Sequence, residues 1–488
     1  MLQRLTPTLL TVALAAIFPY SAYAESTDAE TRINELQKQM QALSQELQAV
    51  QQQLAQSKEA KIAEKGKSQG NPVYASFKDG VTLGDASGNW SLAINGRVQA
   101  DYRNFSPDVD AADTFSLRRA RLGGTLTFYK DYVVRVEGEY SGSSTTLTYG
   151  YIDVNKFAAA KVRVGQFKPF YGLERAMSTN FTDFQERSMA DVLLGSTYDR
   201  GVMVFGTPTA GVNYSLAYIN GTGTVDENNA KNDGKDLTVR LTANLAEIQN
   251  WQNTVVHLGG FYADGNEGSR RQANFIPTEQ TEARGAQFFS TTCSAAACGS
   301  TTANGFKDNV NRTRAGYETA LAYGPVKFQG EYINTSFDGS GYSRGINAWY
   351  ASTMWNVTGE SFAGMYKEGV FGRLKPNKNY KGGGDGWGAL QIGVRYSKFD
   401  ASDFKSSNSA GKGVLLNNGG ATADGVLVAT NEAHAWTVGA NWVLNPNFRI
   451  VTNWVRTNYD TPVVVRVNSV NKSIDKEDAL TMRAQFDF

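Results

Sequence analysis

From Trp90 onward, apolar and polar residues alternate in short runs. Trp90, Leu92, Ile94, Val98, Ala100 and Tyr102 fall on one parity, and Asn95, Arg97, Gln99 and Asp101 on the other. Leu390, Ile392, Val394 and Tyr396 repeat the theme, as do Trp436, Val438, Ala440, Trp442 and Leu444. In the segment Ala479 to Phe488, the residues Leu480, Met482, Ala484, Phe486 and Phe488 interleave with Thr481, Arg483, Gln485 and Asp487. A strand sends successive side chains to opposite faces, so each such run has one oily face and one wet face. This last segment has the length, roughly 9–11 residues, that a tilted strand needs to cross a bilayer core. A soluble edge strand shows the same alternation, so the segment alone leaves both readings open.

The number of runs and their spacing separate the two. Sixteen candidate strands lie near 90–102, 117–128, 132–140, 146–155, 161–168, 200–207, 212–219, 236–245, 253–264, 314–323, 326–336, 345–356, 387–400, 434–444, 447–458 and 479–488. Connections after even strands are mostly short: Tyr129 to Asp131, Thr209 to Gly211, Gly324-Pro325 and Asn445-Pro446. Those after odd strands are often long, at 103–116, 169–199, 220–235, 265–313, 401–433 and 459–478. Short turns on one rim and long loops on the other are the anatomy of an outer-membrane barrel. The pattern predicts an all-β fold, a 16-stranded antiparallel transmembrane β-barrel over residues 90–488. Sixteen strands enclose a lumen too wide for wall side chains to fill, so an aqueous channel is expected. The segment 357–386 is long and falls on the short-turn side, which this pattern does not explain.

The N-terminal region follows other rules. Arg4, the apolar run Leu9 to Phe18 and Ala22-Tyr23-Ala24 read as a secretory signal peptide over 1–24. Ile33, Leu36, Met40, Leu43, Leu47, Val50 and Leu54 alternate in steps of three and four, which predicts a short periplasmic coiled-coil helix within 25–57. One amphipathic helix lying on another surface is the alternative. Lys58, Lys61, Lys65 and Lys67, with Gly66, Gly70 and Pro72, make 58–89 a solvated linker and barrel entry. Export permits a disulfide between Cys293 and Cys298, which sit in a polar loop. No His or carboxylate cluster surrounds them, so no metal is expected there.

The formal net charge is only +1, so any charge selectivity must come from where the charges sit. With the oily face outward, the inward basic residues are Arg97, Arg119, Arg121, Arg135, Arg163, Arg240, Lys327, Arg395, Arg449 and Arg483. The inward acids are Asp101, Glu137, Glu139, Glu318, Glu331 and Asp487, a smaller set. Basic rings in a pore admit anions and phosphate. Pairs such as Arg135 with Glu137, or Arg97 with Asp101, could instead neutralise each other. Arg118-Arg119-Ala120-Arg121 is denser than neutralisation needs. Arg119 and Arg121 share the lumen face by alternation, whereas Arg118 needs a bulge or loop to join them.

The loop 169–199 carries Phe170, Tyr171, Leu173, Met177, Phe181, Phe184, Met189 and Leu193, too many apolar groups for a free surface loop. Folding into the barrel would bury them and make this loop a constriction, with Lys168, Arg175 and Arg187 beside it. A surface lid at a subunit interface is the competing reading.

Several motifs resemble the phosphate-selective porin O/P family. They are Ile94-Asn-Gly-Arg-Val-Gln-Ala-Asp-Tyr102, Phe115-Ser-Leu-Arg-Arg-Ala120, Val164-Gly-Gln-Phe167, Tyr171-Gly-Leu-Glu-Arg-Ala176, Val255-Val-His-Leu-Gly259, Val357-Thr-Gly-Glu360, Leu374-Lys-Pro376 and Val438-Gly-Ala-Asn-Trp442. The resemblance spans about 90–488 and implies a homotrimer of sixteen-stranded channels. It also implies a narrow pore, lined by Arg and Lys, that passes phosphate, polyphosphate or related anions. On the resemblance, Arg118 and Arg119 look like the family's paired constriction arginines, Arg175 its basic residue in the Gly-Leu-Glu-Lys/Arg motif, and Arg187 a further loop arginine. Members that bind phosphate tightly carry a dense arginine run after strand nine. Here that region offers Arg270, Arg271, Arg284, Arg312 and Arg314, widely spaced, while Lys168 and Arg121 add charge where those members are neutral.

The leading function is therefore an anion-selective porin of the bacterial outer membrane, without cofactor and without nucleic acid. The alternative is a general, weakly selective porin for small hydrophilic solutes. An enzyme is not expected, because His257 and His434 are the only histidines and no Ser/His arrangement stands at an informative spacing. A tether or adhesin, with cell-wall or periplasmic contact, would rest on the coiled coil alone.

Overall fold

The computed structural model describes residues 72–488 apart from 78–79, 110, 222, 225–233, 268–278, 290, 293–309, 340–341, 383, 385, 405–414, 417–429 and 469, together with the helical positions Lys38, Gln41, Ala42 and Gln45. The expected leader, the heptad positions from Ile33 to Leu54, the lysine-rich linker to residue 71, Arg270, Arg271, Cys293 and Cys298 lie outside the described residues. Residues 1–72 and 73–488 form separate units.

The second unit is a closed antiparallel barrel. Its strands are β1 (Trp90–Ser106), β2 (Thr114–Phe128), β3 (Tyr132–Glu139), β4 (Thr146–Phe157), β5 (Ala160–Phe167), β6 (Asp199–Thr209), β7 (Val212–Ile219) and β8 (Asp236–Asn244). They continue as β9 (Thr254–Glu267), β10 (Val310–Tyr323), β11 (Val326–Gly339), β12 (Tyr342–Asn356), β13 (Ala389–Asp400), β14 (Glu432–Asn445), β15 (Phe448–Val467) and β16 (Val470–Asp487). Each pairs with the next, and β16 closes on β1 from Asp478 opposite Ser106 to Asp487 opposite Arg97. Closure leaves these sixteen strands no open barrel edge, which is what a bilayer requires of sheet structure. Phe488 extends the seam by exchanging backbone hydrogen bonds with Gly96, at 3.0 and 3.1 Å. Below it, a hairpin of Val73–Ser76 and Val81–Asp85 continues along β1 from Ser91 to Ile94. The linker reading of 58–89 did not anticipate that hairpin.

Alternation sorts the faces as expected. On β16, Leu480, Met482 and Phe486 are exposed outward, whereas Thr481, Arg483, Gln485 and Asp487 are buried inward. The outward set includes Val98, Leu117, Val136, Ile152, Leu216, Leu241, Phe328, Trp436, Trp454 and many tyrosines, an apolar belt suited to lipid.

Two loop assignments change. The loop expected over 459–478 is strand: β15 runs to Val467 and β16 starts at Val470. Thr461 to Val467 is rich in β-branched residues, and a register shift between Asn458 and Val463 carries the pairing beyond the belt. The loop expected over 103–116 shrinks in the same way, because β1 reaches Ser106 and β2 begins at Thr114.

The segment 357–386 now has a physical role. It carries a short 3₁₀ turn at Ala363–Met365 and a hairpin of Tyr366–Lys367 with Val370–Phe371. Phe362 and Phe371 bury against Val255, Ala320, Ala322 and Met354 of the inner wall. The same cluster holds Leu173, Met177 and Phe184 of the loop 169–199. One apolar core thus joins the long loop to the long turn inside the barrel.

Candidate functional site

The loop between β5 and β6 folds into the lumen. It contains a helical turn, Leu173–Ala176, and a 3₁₀ turn, Met189–Leu194. Tyr171, Leu173, Met177, Phe184, Met189 and Leu193 are all at most 2% exposed, which excludes the surface-lid arrangement for them. Met189, Leu193 and Leu194 pack with Phe288 and Phe289 of a second ingoing segment and with wall residues such as Ile333 and Phe337. Polar groups then fix the loop to many strands. The Arg97 guanidinium donates to Thr179 Oγ1 at 2.9 Å, Arg449 to the Thr182 carbonyl at 3.1 Å, and Lys327 to Asp183 at 2.8 Å. Arg395 bonds Glu174 at 3.0 Å and Glu282 at 2.6 Å, with its guanidinium 4.7 Å from the centre of the Phe184 ring.

Glu186, on this loop, is a meeting point of arginines. Arg483 lies 2.7 Å from it, Arg118 2.8 Å, Arg103 3.4 Å and Arg119 3.9 Å. Asp101 supplies a second carboxylate, bonded to Arg103 at 2.9 Å and Arg483 at 2.7 Å. Four guanidinium groups thus surround two carboxylates. Burial alone would raise the Glu186 carboxyl, but Arg118, Arg483 and Arg119 outweigh it and hold it well below the usual carboxylate range. Arg118 reaches the lumen through a bulge, because Gln99 pairs with Arg119 but Ala100 with Leu117. Its side chain is 25% exposed, the most accessible of the four.

Arg121 is held differently. It bonds Glu139 at 2.6 Å and the Tyr198 hydroxyl at 2.5 Å. Further down, Arg135 pairs with Glu137 at 2.8 Å, Arg163 with Asp153 at 2.7 Å and Arg240 with Glu318 at 2.9 Å. The local pairing weighed for Arg135 is therefore present. Arg97 instead faces Glu137 at 4.0 Å, since Asp101 is taken by Arg103 and Arg483.

Lys168, Arg175 and Arg187 form a separate group inside the loop. Lys168 Nζ donates to the carbonyls of Ala176 at 3.0 Å and Met177 at 2.8 Å. Burial, then Arg187 and Arg175, push its ammonium well below the usual lysine range. Arg175 bonds the Asp191 carboxylate and carbonyl, each at 2.5 Å, and the Gly195 carbonyl at 3.1 Å. Arg187 reaches Asp191 at 3.4 Å and the Arg175 and Met177 carbonyls. These donors hold the loop's own backbone, apart from the cluster around Glu186.

Sequence reasoning placed neither Arg103 nor the loop acid Glu186 in the site. Arg103 continues the inward series of Arg97, Gln99 and Asp101, so a longer β1 would have revealed it. Glu186 gives no periodic signal, because it lies on an irregular loop. Arg284, on the ingoing segment, also turns toward this region. Burial and then Arg118 lower its guanidinium below the usual range, and no carboxylate pairs with it among the described residues.

His257 is fully buried, with Nδ1 2.6 Å from the Tyr366 hydroxyl and Nε2 3.3 Å from Glu318. It ties the 366–371 hairpin to the wall.

A belt made for lipid outside, around a loop-narrowed and charge-lined lumen inside, defines a porin of the bacterial outer membrane. The chain belongs to the family of phosphate-selective porins O and P, whose model matches residues 92–488. It is 26% identical over 451 residues to Porin O of Pseudomonas aeruginosa, covering 86% of this chain and 94% of that protein. Among solved structures, the anion-selective porin from Comamonas acidovorans has a TM-score of 0.49 at 11% identity, covering 82% of this chain and all of that one (100%). Pseudomonas putida OprB at high pH also has a TM-score of 0.49, at 10% identity, covering 82% and 94%.

Proposed function

We propose that the protein passes phosphate, polyphosphate or similar small anions by passive diffusion, and that Arg118, Arg119 and Arg121 line its narrowest ring. The observation that carries this reading is the excess of guanidinium over carboxylate around Glu186 and Asp101. An anion entering there exchanges hydration for charge-assisted hydrogen bonds without any covalent step. Exposure favours Arg118 as the first contact. Lys168, Arg175 and Arg187 act as the staple that keeps the loop folded. Family precedent supports a homotrimer in outer-membrane lipid.

A weakly selective general porin is the second reading. The neutralising partners of Arg135, Arg163 and Arg240 favour it, since they cancel much of the wall's charge. Single-channel recording under a KCl gradient, with phosphate titrated against chloride, separates the two. An anion-directed reversal potential and phosphate block of chloride current support the first. A reversal potential near zero, unmoved by neutralising Arg118 and Arg119, supports the second.

A further inference from the structure

Beneath the loop, a cavity of about 350 Å³ lies between the inner wall of β5–β8 and the 366–371 hairpin. Its apolar side is made by Phe170, Phe205 and Val370, and its cationic side by Lys161 and Lys367. A second cavity of about 510 Å³ shares Lys161, Thr207, Asn213, Lys367 and Glu368 with it and reaches the short turns near Ala158 and Asn250. The two adjoin along these shared residues, the first at the foot of the loop and the second toward the short-turn rim.

The ring and charge geometry in the upper cavity is specific. Phe170 and Phe205 stand edge to face, with centroids 5.7 Å apart. Lys161 Nζ lies 5.7 Å from the centre of the Phe205 ring, and the Arg163 guanidinium 5.0 Å from it. Arg163 is committed to Asp153, and Arg240 to Glu318 and the Gly369 carbonyl. Among the described residues, the one acid that Lys161 meets is Glu368, at a long 3.8 Å, and the Glu368 side chain is 52% exposed. So open a pair contributes little, and a ligand carboxylate or phosphate can replace it. A bare inorganic anion would use the ammonium and leave the rings wet.

We propose that the upper cavity is a binding site for small organic anions that carry an aromatic ring, with the charged group on Lys161 and the ring packed against the faces that Phe170 and Phe205 present to the cavity. A volume of this size suits one such molecule. The inference rests on the anion-channel reading and narrows its substrate class.

The test compares benzoate with acetate, which share a carboxylate, as blockers of chloride current through the whole protein in planar bilayers. Each is added from the short-turn side. Benzoate is expected to halve the current at about tenfold lower concentration than acetate, the effect of burying part of one ring. Phe205→Ser, and separately Phe170→Ser on the loop, bring the two blockers together, whereas Lys161→Gln weakens both. Equal block by benzoate and acetate in the unaltered channel overturns the inference, as does a preference that survives both phenylalanine substitutions. The reversal potential under KCl is read on the same channels. Cation preference there would defeat the broader reading, and anion preference with equal block would defeat this inference alone.

Discussion

Glu186 and Arg483 stand 2.7 Å apart, one on the loop after the fifth strand and the other on the last strand. The contact joins residues 297 positions apart in the chain and pins the ingoing loop beside the barrel's closing seam. Arg483 is also bidentate to Asp101, at 2.7 and 2.8 Å, so three charged groups share one buried junction.

Removing the acid from that junction unbalances it. Glu186→Gln leaves Asp101 as the remaining carboxylate of the cluster, paired with Arg103 and Arg483 while Arg118 and Arg119 lose their acid, and breaking such a buried pair costs about 3–5 kcal/mol of loop docking. The reversal potential under a KCl gradient should move further toward the anion limit, with noisier open-channel current. A move toward cations would contradict the assignment.

Arg118 is the least enclosed of the four arginines, and its removal should cost selectivity with little loss of structure. Arg118→Gln is expected to reduce anion preference while sheet content and the heat stability of the barrel stay unchanged. Circular dichroism beside bilayer recording checks both halves.

Acid should loosen the Glu186 contacts only well below the ordinary carboxylate range. The unfolded glutamate value is about 4.3. Because folding depresses the Glu186 carboxyl, its stabilisation is complete above that value and fades as pH falls through the lower folded value. The share of conductance and selectivity that depends on Glu186 should therefore hold steady from about pH 7 to about pH 5 and fade only below about pH 4. A transition near neutrality would assign control to another group.

Gly439 allows the loop to seat. A Cβ built there would lie 2.9 Å from the Phe184 ring, which itself stacks on Arg395. Gly439→Val should push Phe184 off the wall, a shift of the kind that costs about 1–3 kcal/mol in a packed core. Larger conductance with frequent sublevels is the expected signature, and an unchanged trace would show that the loop does not depend on this contact.

The same residues show how far the sequence could be read. Alternation placed the strands, their inward arginines and the apolar belt, because a strand's side-chain period is fixed by its backbone. Connection lengths placed the two rims, and the apolar load of 169–199 placed that loop indoors. The need for a bulge at Arg118 also followed from parity alone. Tertiary structure decided the rest. That Glu186 gathers four arginines, that Lys168 and Arg175 turn to carbonyls of their own loop, and that 357–386 packs on Phe184 all depend on irregular segments. Such segments have no period to read, and their side chains take their partners from whichever strands closure brings around them.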